Sequence, residues 1–64
     1  MDLQPLDLCR ITRSAHGNEG VRCVLDWRGE IGGRAFWWCH LAGGNVSEGL
    51  AWEADLELVK RGAA

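Results

Sequence analysis

Apolar and polar residues alternate most cleanly over residues 21–28, where Val21, Cys23, Leu25 and Trp27 fall on one side of an extended chain and Arg22, Asp26 and Arg28 on the other. This spacing predicts a half-buried strand. Residues 35–41, Ala-Phe-Trp-Trp-Cys-His-Leu, follow another rule. They are too few for a membrane helix and apolar on both sides when extended, with Ala35, Trp37, Cys39 and Leu41 on one and Phe36, Trp38 and His40 on the other. The run predicts a central strand that needs cover on both faces. Trp37, Cys39 and Leu41 match the apolar side of 21–28, so that side is assigned to the core.

The remaining pattern is short and punctuated. Residues 6–13 predict a first strand with Cys9 and Ile11 facing one way, and 50–53 a short fourth strand. In the tail, helix formers run into an apolar ending, which predicts a 3₁₀ turn at 54–56 and a closing strand at 57–60. Segments 14–20, 29–34 and 42–49 are rich in Gly, Asn and Ser and read as connections, the middle one as the link of an antiparallel hairpin. Sixty-four residues make a single domain, placed at 6–61 with a loose lead-in at 1–5 and a frayed end at 62–64.

Five short strands with glycine-rich links close best into a compact all-β unit with few edges. In their order the elements resemble the SH3-like small barrels: a strand, a long loop, a hairpin of two strong strands, a fourth strand, a short turn and a last strand. Within that group the chain resembles the YodC-like family of small uncharacterised bacterial proteins. The likeness lies in Asp7-Leu8-Cys9-Arg10-Ile11, the Cys-bearing Trp38-Cys39-His40-Leu41, Gly43-Gly44, Glu48-Gly49 and the closing Asp55-Leu56-Glu57-Leu58. It departs from the family where Ala15-His16-Gly17 stands in place of a Gly-Gly-Pro turn. The resemblance implies a five-stranded SH3-like β-barrel with a 3₁₀ turn before the last strand. That family has no settled activity, so no site residue is carried over from it.

Charge narrows the function classes. The formal net charge is -2, and the one bias along the chain is acidic, over residues 48–57. A nucleic-acid binder driven by phosphate contacts would show a basic stripe instead. The three cysteines are an odd number at wide spacing, and no apolar leader follows Met1. They read as reduced, buried thiols of a cytoplasmic protein that does not enter membranes. No two of Cys9, His16, Cys23, Cys39 and His40 stand two to four residues apart, and the adjacent Cys39 and His40 point to opposite faces, so neither a metal nor any other cofactor is expected.

Four tryptophans are many for this length, and Trp27, Trp37 and Trp52 are assigned to the core. Phe36, Trp38 and His40 are left on the second face as the candidate binding residues, for self-association or for a protein partner. Trp27, Phe36, Trp38 and Trp52 are also the set from which a cage for a methylated amine could be built. The function expected is therefore a non-enzymatic interaction module that forms a homo-oligomer or binds a protein partner. Two alternatives stand beside it. One is an oligomer-assembled small-molecule-binding protein or enzyme, by architectural likeness to the plasmid-type dihydrofolate reductases, although their Val-Gln-Ile-Tyr run is replaced here by Glu48-Gly49-Leu50-Ala51-Trp52. The other is weak binding of single-stranded nucleic acid through Arg10, Arg13, Arg22, Arg28 and Arg34, with Asp26 diluting the field between Arg22 and Arg28.

Overall fold

Alternation becomes strand in every segment where it was read. The computed structural model describes residues 2–14, 17–41 and 48–62. Its elements are β1 (Leu8–Ile11), β2 (Arg22–Ile31), β3 (Arg34–Leu41), β4 (Glu48–Trp52), a 3₁₀ turn (Glu53–Asp55) and β5 (Leu56–Lys60). All pairings are antiparallel, in one five-stranded sheet of order β4-β3-β2-β1-β5.

Several boundaries differ from the sequence reading: β1 is shorter than 6–13 and β5 begins one residue before 57, and three other differences have a local reason. The hairpin link expected at 29–34 shrinks to Gly32-Gly33, because β2 continues to Ile31 and Ile31 pairs with Arg34. Both glycines have positive φ, 58° and 79°, as a type I′ turn needs to match the twist of its strands. β4 begins at Glu48, where pairing with His40 recruits a residue assigned to the loop. The 3₁₀ turn forms one residue early, at Glu53–Asp55. The rest of the loop over 42–47, and Ala15 and His16, lie outside the described residues, as do residues 63–64.

The sheet is not a closed barrel. β4 and β5 are its two edges, and no ladder joins them. It is nevertheless strongly curled, as chain length requires. Four intervals at about 4.8 Å would hold the edge strands roughly 19 Å apart in a flat sheet. The chain from Trp52 to Leu56 spans at most about 14 Å. The short link therefore draws the two edges toward each other and wraps the sheet around one face.

That face holds the core. Cys9 and Ile11 from β1, Cys23 and Leu25 from β2, and Trp37 and Cys39 from β3 form the buried cluster. Leu3, Val21, Leu41, Ala51, Leu56 and Leu58 pack against it. The three thiols are unbridged and serve as small apolar side chains.

The ends of the described chain meet on one carboxylate. Asp7 has no exposed surface, and it accepts hydrogen bonds from the Gln4 N–H (2.9 Å), Arg61 Nη1 (2.9 Å) and the Gly62 N–H (3.2 Å). A Cβ at Gly62 would overlap the Leu6 carbonyl, so only glycine can pass there. Backbone bonds between Leu6 or Asp7 and Leu25 tie this clasp to β2.

Removing the Asp7 carboxylate strands two N–H groups and a guanidinium, a loss of about 3–5 kcal/mol. A chain of this length has only about 3–10 kcal/mol of stability. Asp7→Ala is therefore expected to abolish or nearly abolish the cooperative urea transition followed by far-UV circular dichroism. Asp7→Asn, which keeps one acceptor, should shift it by about 1–3 kcal/mol.

Candidate functional site: the outer aromatic face

The second face of the sheet is organised by one extra residue. From Cys23 to Leu25, β2 pairs so that Leu25 lies opposite Cys39, and two residues later Trp27 lies opposite Trp38. Asp26 is the residue taken up by this bulge, so the strand reverses its facing there. Cys23 and Leu25 point into the core, while Trp27, Gly29 and Ile31 share the outer face with Arg34, Phe36 and Trp38. β4 adds Leu50 opposite Trp38 and Trp52 opposite Phe36.

Two core assignments are corrected by this register. Trp27 is outside and 53% exposed, because unbroken alternation through 21–28 does not survive the bulge. Trp52 is half-buried on the outer face, placed there by its pairing with Phe36. Trp37, at 2% exposure, is the tryptophan that fills the core.

The outer rings form one connected set. Trp27 and Trp38 stack with centroids 6.0 Å apart and planes 13° from parallel. Phe36 meets Trp27 edge-on at 5.7 Å and Trp52 edge-on at 6.4 Å. The Arg34 guanidinium lies 4.0 Å from the centroid of Trp52, on its face. Phe36 is buried beneath these neighbours with its ring over Gly29, where a Cβ would overlap the ring edge. Ile31 at the hairpin end of the face and Leu50 on the far side of Trp38 remain exposed.

Of the three residues singled out from the sequence, Phe36 is thus the buried support of the face and Trp38 its half-buried stacking partner. His40 continues the same side of β3, where its Nδ1 lies 3.0 and 3.2 Å from the two Asp26 carboxylate oxygens. This pair holds the bulge residue to the neighbouring strand. The sequence reading named Trp27 for a possible cage but assigned it to the core, and it missed Ile31 and Leu50; these three are the most exposed apolar members of the face.

On the core side, polar groups close one end of the cluster. Glu53 Oε2 accepts hydrogen bonds from Trp37 Nε1–H at 2.9 Å and from Arg28 Nε–H at 3.1 Å. The Trp37 bond first, and the Arg28 charge after it, hold the Glu53 carboxyl below its usual range. Burial pushes the Cys9 thiol up to about 11. The hydrogen bond shared with Cys39, and then burial, push Cys23 up as well. Cys39 Sγ–H in turn donates to the Gly49 carbonyl at 3.6 Å. The bond it shares with Cys23 pulls the Cys39 thiol down, whereas the raised, enclosed Cys9 and Cys23 are poor nucleophiles. Among the described residues no group of three His, Cys, Asp or Glu is placed to hold a metal ion. A hollow of about 500 Å³ lies between β4 and the loop after β1, lined by Ile11, Arg13, Asn18, Leu50 and Trp52 among others. Among the described residues no helix is long and apolar enough to cross a membrane. Compared with protein-family models, curated proteins and solved structures, the chain shows no significant match to any.

Gly29→Ala should displace the Phe36 ring and loosen the whole set, at a cost of about 1–3 kcal/mol in urea unfolding with a change in tryptophan emission. Glu53 carries the pH signature. A carboxyl lowered in the folded state stabilises the fold above the usual glutamate range, and that contribution is lost as pH falls through its folded value. The stability difference between wild type and Glu53→Gln, measured by thermal unfolding, should hold steady at neutral pH and narrow as the solution is made acidic.

Proposed function

We propose that this chain is a non-enzymatic interaction module that works through the outer aromatic face, with Phe36, Trp38 and His40 as its central strand and Trp27, Leu50 and Trp52 flanking them. The observation that carries this reading is Trp27, which is 53% exposed yet stacked on Trp38. An indole held in place before binding offers contact area with little further loss of rotamer freedom, which is why tryptophan dominates the energetics of so many interfaces. Ile31 and Leu50 extend the patch toward the hairpin and onto β4, and Phe36 packed edge-on against Trp27 keeps it rigid.

Charge favours a protein surface as the partner. The acids Asp26 and Glu48 border the face, and the guanidinium at its opposite end, Arg34, is laid against Trp52, an arrangement poorly suited to a phosphate backbone. The strand order β4-β3-β2-β1-β5 with its 3₁₀ link is the observation behind placing the chain, as a proposal, among the SH3-like small barrels in an open form. Three reduced thiols in the core fit a reducing, cytoplasmic setting.

The reading is tested by placing a benzoylphenylalanine photocrosslinker at position 27 in producing cells. Adducts of discrete mass are expected from position 27, weakened by Trp38→Ala, and none from the same probe at the exposed Glu57. Position 27 behaving like position 57 would contradict it.

A further inference from the structure

We propose that the occupant of the aromatic face is a second copy of this chain, docked face to face about a two-fold axis that runs across the strands. This rests on the reading of that face as the binding surface and adds the partner and its register.

The face is polar at its two ends and apolar between them, and the ends differ in sign. At the hairpin end the charged group is Arg34, opposite the apolar Ile31. At the other end His40 is flanked by Glu48 on β4 and by Asp26 on β2. Arg22 also stands on the outer side of β2 at that end, one row beyond Val24 and His40 and next to Arg10 of β1, outside the row that holds Glu48. Between these ends lie two cross-strand rows, Trp27-Trp38-Leu50 and Gly29-Phe36-Trp52.

Two copies meeting through the same face must be related by an axis lying in the contact plane. An axis along the strands would stack Arg34 on Arg34 and acid on acid. An axis across the strands reverses their direction, so Arg34 of each copy meets Glu48 and Asp26 of the other while the aromatic rows overlap. Because the sheet wraps around its core, the outer face is convex, and the two copies meet along the aromatic rows with strands nearly aligned. The second copy also supplies what the fold lacks, a layer over the outer side of β2, β3 and β4, in a chain near the lower size limit for an independent core.

Size sets the expected strength. Three strands at about 4.8 Å and five residues at about 3.3 Å make a face of roughly 14 by 17 Å. At about 240 Å² of footprint per copy this is below the roughly 800 Å² a side of a standard interface, so association is expected to be weak, at hundreds of micromolar.

Sedimentation equilibrium tests the register by charge reversal. Wild type should dimerise, and Arg34→Glu or Glu48→Arg alone should weaken the dimer at least tenfold, each placing like charges in contact. An equimolar mixture of the two variants should recover wild-type affinity within about threefold, because both contacts are then between opposite charges. Circular dichroism should show both variants folded, and Arg10→Glu, which breaks the Arg10–Glu57 pair on β1 and β5, should leave the dimer affinity unchanged. A wild type that stays monomeric at millimolar concentration overturns the proposal. So does a dimer indifferent to the reversals, or a mixture that stays as weak as its components. If position 27 still crosslinks in any of these cases, the interaction face stands and only its occupant or register is wrong. If it does not, the reading of the face itself falls.

Discussion

The register shift between Leu25 and Trp27 determines what each side of the sheet is made of. Before it, β2 directs Cys23 and Leu25 inward beside Cys39 and Leu41. Beyond it, the same parity directs Trp27, Gly29 and Ile31 outward beside Trp38, Phe36 and Arg34. One unpaired residue therefore allows a single strand to serve the core with one half and the surface with the other. Asp26, the residue taken up, is bonded across to His40, so the irregularity is fastened. Without the shift, Trp27 would compete with Trp37 for the same small interior.

The interior is correspondingly sparse. One tryptophan, one leucine, one isoleucine and three cysteines make up its buried cluster. Polar closures add to that small apolar core: Asp7 gathers both ends of the described chain, and Glu53 receives Trp37 and Arg28 at the 3₁₀ turn. Both are buried or half-buried carboxylates whose partners lie far away in sequence, where net hydrogen-bond contributions are larger than at an open surface. The turn containing Glu53 is also the link that curls the sheet. One short segment thus sets the curvature and anchors the core tryptophan.

How much of this was legible depends on the range of each cause. Strand segments followed from alternation, a local property, and the inward face of β3 followed from matching Trp37, Cys39 and Leu41 to Cys23 and Leu25. Trp27 did not, although the conflict was written in the chain. A Gly32-Gly33 turn pairs Ile31 with Arg34 and so Trp27 with Trp38, whereas a shared core needs Leu25 opposite Cys39. These pairings differ by one residue, and only a bulge between them satisfies both. Trp52 had no such clue, since its facing depends on the pairing of β4 across the loop from β3. Asp7 was read as the start of a strand, because its partners Arg61 and Gly62 are more than fifty residues away. Phe36, Trp38 and His40 were read on the right side of β3, yet the most exposed part of that face came from its neighbours.

An outward Trp27 beside an enclosed Trp37 is the central claim, and solvent contact at each indole tests it most directly. With 5-fluorotryptophan in place of all four tryptophans, the fluorine resonances can be assigned by single Trp→Phe variants and read at concentrations where the chain is monomeric. The Trp27 resonance should show a large shift between light and heavy water and strong broadening by a dissolved paramagnetic chelate, with Trp37 unaffected by either. A Trp27 as protected as Trp37 would mean that β2 keeps one facing throughout, and the account of both faces would be wrong.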